Sequence, residues 1–124
     1  MAFECTINKR DEDNVIVCAL KGSLDSQTYK NFSSQITKFI KQPLKAIILD
    51  LAQLEYISSL GLGAILDVAN LTEKEGIEFA LVSVPSSIEK VFRIVGAISF
   101  MHAFVSIEEV DKYLMKLQGN IKKD

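Results

Sequence analysis

The chain has 124 residues, 48% of them apolar and 24% charged, with a formal net charge of −2. A chain of this size buries roughly two-thirds of its unfolded surface in one core, so it needs no metal or disulfide to fold, and its composition lies outside the disordered range. Lys and Arg are dispersed apart from Lys122-Lys123, so nothing points to direct nucleic-acid binding, and no apolar stretch approaches the roughly 18 to 20 residues of a membrane span.

In chain order, Phe3 to Asn8 and Val15 to Leu20 read as strands, joined into a hairpin by the charged turn Lys9 to Asn14. After Lys21-Gly22-Ser23-Leu24, Asp25 is placed to cap a helix. In that helix Tyr29, Phe32, Ile36, Phe39 and Ile40 recur at helical spacing, and it ends before Pro43. Ala46 to Leu51 is a short apolar run with turn-like flanks, the pattern of a strand covered on both faces. A second helix is predicted from about Leu60 to Glu75, with Leu62, Ile65, Leu66 and Ala69 on one face and Gly76 as its stop.

Phe79 to Val84 is the next strand. Ser86 with Glu89 then forms a capping box opening a third helix, whose stripe is Ile88, Val91, Phe92 and Val95 and whose terminator is Gly96. Phe100 to Val105 is a short strand, and Ser106 with Glu109 repeats the capping signal before Ile107, Val110, Leu114 and Leu117. The predicted order is ββαβαβαβα, an α/β fold. Right-handed crossovers give a mixed, mostly parallel sheet of about five strands packed with about four helices, the first strand antiparallel. No repeat or linker divides the chain, which reads as one domain over residues 1–124 with its core over about 3–117.

Few residues are suited to catalysis. His102 stands alone beside Met101 and Phe100, without an acidic neighbour to orient it. Cys5 and Cys18 lack CxxC spacing, so neither a zinc site nor any other metal or cofactor is expected. The two cysteines lie on the first two strands and could become neighbours. Met1-Ala2-Phe3-Glu4-Cys5 has no basic or apolar leader region, so a cytoplasmic protein with reduced thiols is the expectation. Leu60-Gly61-Leu62-Gly63 is not a G-x-S-x-G elbow, and no Walker A or complete dinucleotide motif occurs.

The informative segment runs from Leu49 to Leu66, where a buried strand passes through Ser58-Ser59 into a glycine-bearing helix start. N–H groups there lack intrahelical partners and the helix dipole is positive, so a phosphoryl group on Ser59 would be electrostatically tolerated. Either serine could equally be a plain N-cap. Gly61 and Gly63 each cost the helix about 1 kcal/mol against alanine, which suggests close backbone approach by a partner or by another part of the fold.

This segment resembles the signature of the STAS family, specifically its bacterial anti-sigma factor antagonists, as do Leu20-Lys21-Gly22-Ser23-Leu24-Asp25 and the run from Val84 to Gly96. Aligning the family's Asp-Ser-Ser/Thr-Gly-Leu-Gly run on Gly61-Leu62-Gly63 puts its phosphorylated serine on Ser59. The resemblance implies a non-enzymatic partner switch. When unphosphorylated, the antagonist binds an anti-sigma factor that is also a serine kinase of the histidine-kinase-like ATPase fold; phosphorylation at Ser59 releases it, and a PP2C-type phosphatase resets it. Asp25, Ser58, Leu60 and Gly61 are the implied partner-binding residues, Asp25 being also an ordinary helix cap in its own right.

Two positions depart from the pattern: Ser58 stands where an aspartate is common, and Leu60 where a small residue is common. One rival reading is a STAS scaffold or regulatory subunit of a transport or stressosome-like complex, without phosphoswitching. The other is a small enzyme, whose sign would be a catalytic His or carboxylate pair beside Ser59.

Overall fold

The computed structural model describes residues 2–10, 12–94, 102–104 and 107–122. A hairpin comes first: β1 (Glu4–Arg10) and β2 (Val15–Leu24) pair antiparallel, with Cys5 opposite Leu20 and Arg10 opposite Val15. The ladder takes in Lys9 and Arg10, which the sequence reading assigns to the turn. Asn14 has φ 55° at the reversal, a left-handed conformation that asparagine tolerates better than most residues.

The order continues as α1 (Tyr29–Ile40), β3 (Ala46–Ile57), α2 (Ser59–Lys74), β4 (Glu78–Val82), α3 (Ser86–Ile94), β5 (His102–Phe104) and α4 (Ile107–Lys122). The strands lie side by side in sequence order, all pairs after the first being parallel. The expected five-stranded mixed sheet with four helices is therefore what forms. The expected stop at Gly96, the strand ends at Phe100 and Val105, and the capping Ser106 lie outside the described residues.

The largest departure from the sequence reading is β3, which continues six residues past Leu51 to Ile57. Beyond Asp50, the simple alternation of a strand is lost, because the buried positions are Leu51, Leu54 and Ile57. The register supplies the cause. From Ala19↔Asp50 to Lys21↔Gln53, and again from Gly22↔Leu54 to Ser23↔Tyr56, β3 advances one residue more than β2. Each irregularity shifts the phase of the strand by one position, so residues three apart face the same core. Asp50 supports the first, its Oδ1 accepting the Ala52 N–H at 3.0 Å.

Two cores sandwich the sheet. On one face Phe32 and Ile36 of α1, Leu62, Ile65 and Val68 of α2, and Ile88 and Phe92 of α3 pack on Ile47, Leu49, Leu51 and Leu81. On the other, Val110 and Leu114 of α4 cover Val15, Ala46, Ile48, Ala80 and Val82. Each fully buried aliphatic or aromatic side chain contributes about 1.5–3 kcal/mol. The alternation of Ile47, Ile48 and Leu49 between the two cores is why this run reads as continuously apolar. An ion pair adds to the second core: the Arg10 guanidinium grips both oxygens of Asp111 on α4, at 2.8 and 3.1 Å.

The helix ends follow local chemistry. Gly76, at φ 71°, closes α2, with the Ile77 N–H donating to the Thr72 carbonyl at 2.9 Å. α3 does not open with the expected capping box: Ser86 is already helical and the Pro85 carbonyl accepts from Glu89 N–H. The Glu89 carboxylate instead pairs with Arg93 at 2.6 Å, one turn on. Among the described residues, no helix is long and apolar enough to cross a membrane.

Candidate functional site

Strands β2 and β3 end side by side. Leu24 is in register with Ile57, and the Ser58 N–H donates to the Leu24 carbonyl at 3.0 Å. Two connections therefore leave the sheet together, one through Asp25 toward α1 and one through Ser58 into α2. In parallel sheets this carboxyl edge, with helix N-termini facing it, is where binding sites collect.

The two serines, alike in sequence, are separated by geometry. Ser58 is extended (φ −91°, ψ 174°) and half-buried, and its Oγ accepts the Gly61 N–H at 3.1 Å, so it is the N-cap. Ser and Asp cap about equally well, so Ser58 supplies the bond that the commoner aspartate would. Ser59 is the first residue of α2 and is exposed. No acidic residue occupies the first turn of α2, so the helix itself carries no carboxylate to offset the positive end of its dipole.

Asp25 does not cap α1 directly. The N-cap position is Thr28, and Asp25 organises the turn before it: Oδ1 accepts the Gln27 N–H at 2.9 Å, and the Asp25 N–H donates to Thr28 Oγ1 at 2.9 Å. Thr28 Oγ1 donates to the Ser23 carbonyl at 2.8 Å, tying this turn to the end of β2. Because the Asp25 carbonyl accepts from Tyr29 N–H, the turn is continuous with the helix, which is why the sequence signal places the cap one turn early. Asp25 is partly exposed and directly follows Leu24, whose carbonyl accepts the Ser58 N–H.

The two glycines do different work. A Cβ on Gly61 would lie 2.2 Å from the Leu24 carbonyl oxygen, so only glycine lets α2 begin against the end of β2. Gly61 is buried and offers nothing directly to a partner; its part in the site is positional. Gly63 has no such neighbour, since a Cβ there meets nothing within 4 Å. It leaves a bare stretch of helix backbone facing outward.

Leu60 is 49% exposed and Tyr56 50% exposed, so two large side chains near Ser59 in the chain are only half covered by the rest of the molecule. No local pattern marks Tyr56, because a register shift between β2 and β3 turns it outward at the end of β3. His102, the one histidine, is on β5 in register with Ala80, on the opposite side of β4 from β3. Among the described residues no cluster of three or more His, Cys, Asp or Glu is placed to hold a metal ion.

Comparison with known proteins gives consistent matches. The Bordetella bronchiseptica protein named "Putative anti-sigma factor antagonist BtrV" is 28% identical over 87 residues, covering 70% of this chain and 75% of that one. An anti-sigma factor antagonist from Mycobacterium paratuberculosis has the same fold, with a TM-score of 0.81 over 92% of this chain and 95% of that one at 17% identity. The anti-sigma factor antagonist SpoIIAA, unphosphorylated, gives 0.73 over 90% and 96% at 23% identity. The phosphorylated form of SpoIIAA from Bacillus gives 0.68 over 90% and 99%, also at 23%. The STAS domain family itself matches residues 6–110, from the opening hairpin into α4. With the sheet order and helix placement described above, that match establishes that the chain belongs to the STAS domain family.

Proposed function

We propose that the protein is an anti-sigma factor antagonist: a non-catalytic module that binds an anti-sigma factor through the surface around the start of α2 and lets go when Ser59 is phosphorylated. The observation carrying this reading is the exposed Ser59 hydroxyl at the first position of α2, beside a Ser58 hydroxyl committed to the cap. The likeness to named antagonists, one of them known in both unphosphorylated and phosphorylated forms, supports it. In this reading the anti-sigma factor is also the serine kinase, of the histidine-kinase-like ATPase fold, and a PP2C-type phosphatase restores the free hydroxyl.

The physics of the switch is an asymmetry between folding and binding. A phosphate adds about −1.5 to −2 charges. At a free helix N-terminus that is neutral or favourable by about 0.3–1 kcal/mol. In a docked interface without a counter-charge it costs about 3 kcal/mol or more, over a hundredfold in affinity. Asp25, Ser58, Tyr56 and Leu60 form the docking surface, and Gly61 sets its shape.

The test is phosphopeptide mapping after incubation with the cognate kinase and ATP, with binding isotherms for Ser59→Ala and Ser59→Asp. Phosphate on Ser59, constitutive binding by the alanine variant and weak binding by an equally stable aspartate variant are expected. Phosphate confined to Ser58 or to Ser86-Ser87, or equal affinities of the two variants, would overturn the proposal.

A further inference from the structure

Cys5 on β1 and Cys18 on β2 take no part in the site above. In register Cys5 opposes Leu20 and Cys18 opposes Ile7, so the two are diagonal neighbours on the same face of the hairpin. Their sulfurs are 3.1 Å apart, unbridged. Cys18 is wholly buried in the first core, while Cys5 is only partly covered, on the edge strand of the sheet.

We propose that this pair is a modification site, at which a hydroperoxide oxidises the two thiols to an intramolecular Cys5–Cys18 disulfide that staples the edge strand to the sheet. The different surroundings assign the roles. The hydrogen bond from the Cys18 thiol holds Cys5 below the usual thiol range, against the opposing effect of burial. That same hydrogen bond, then burial, then the charge on Cys5 push Cys18 up. Cys5 is thus both the more accessible sulfur and the one that more readily becomes a thiolate, the form that attacks peroxides.

The chemistry closes in two steps. The Cys5 thiolate attacks a peroxide oxygen; the O–O bond breaks, Cys5 becomes a sulfenic acid, and the other oxygen leaves as alkoxide or hydroxide, taking a proton to become an alcohol or water. Cys18 then gives up its proton and attacks the Cys5 sulfur; the S–O bond breaks and the leaving hydroxide takes that proton as water. Two thiols have lost two electrons and one hydroperoxide has gained them. Closure brings the sulfurs from 3.1 Å to about 2.05 Å. That displacement is within reach of β1, which is paired on one side only.

The experiment exposes the full-length reduced protein to hydrogen peroxide and follows intact mass, titratable thiols and non-reducing electrophoresis. The expected product is a monomer lighter by two hydrogens, without titratable thiols, melting several degrees higher and restored by dithiothreitol. Cys18→Ala, which cannot resolve the sulfenic acid, should instead gain oxygen on Cys5 with no change in melting point; Cys5→Ser should be inert. Persistence of both thiols in the wild-type protein would overturn the proposal, as would a cross-link between two copies, or oxygen addition to wild-type Cys5 in place of the link. Because none of these readouts involves Ser59 or a partner, failure here leaves the proposed switch untouched, and the converse also holds.

Discussion

Ser58 and Ser59 are identical in chemistry, and the start of a helix makes them different. One hydroxyl oxygen is held by the Gly61 N–H, and the other belongs to an exposed residue. The same segment makes the glycines separable by mutation. Gly61→Ala forces a methyl group against the Leu24 carbonyl at 2.2 Å and should cost about 1–3 kcal/mol of stability, read in a denaturant titration. Gly63→Ala enters open space and should stabilise the helix by up to about 1 kcal/mol while weakening partner binding, if a partner uses the bare backbone. A Gly63→Ala variant that binds as wild type would remove that stretch from the interface. Leu60→Ser should leave the melting point nearly unchanged, because the side chain is already half in water, yet cost up to about 1.5–3 kcal/mol in affinity if a partner covers it. Wild-type affinity with a lowered melting point would instead place Leu60 in the core.

At the scale of elements, the decisive feature is the paired exit of β2 and β3, which sets the turn of Asp25 next to the N-terminus of α2. Asn at position 25 keeps the bond from the Gln27 N–H and the turn built on it, so Asp25→Asn should change stability by less than about 0.5 kcal/mol. If the carboxylate meets the partner or kinase, the same variant should still lose binding or phosphorylation, measured by titration and by phosphate incorporation. Unchanged values in both assays would reduce Asp25 to a turn residue. The irregular β2–β3 register belongs to this scale too: it lets β3 run to Ile57 with Leu51, Leu54 and Ile57 all inward, delivering Tyr56 and the serines to the sheet edge.

Across the whole molecule, the ion pair of Arg10 with Asp111 joins residues 101 positions apart and fastens α4 to the opening hairpin. Asp111 is 39% exposed, so Asp111→Asn should cost only about 0.5–1 kcal/mol, an effect that shrinks with added salt and is read as a small drop in the urea midpoint. Much of this architecture was legible in the amino-acid order. Helical spacing in Tyr29 to Ile40, the apolar run from Ala46 and the stop at Gly76 are local properties, and the parallel pairing after the opening hairpin follows from alternating elements. The helix start at Ser58-Ser59 was legible for the same reason, since capping depends on residues two or three apart. What only the tertiary structure decided depends on contacts between distant segments. The second half of β3 is a strand because β2 pairs with it through two register shifts. Gly61 and Gly63 differ because Leu24 lies beside one and nothing beside the other. Which serine caps the helix, and that Tyr56 and Leu60 are both exposed, likewise follow from how the ends of β2 and β3 meet, a spatial relation that no local pattern in the chain encodes.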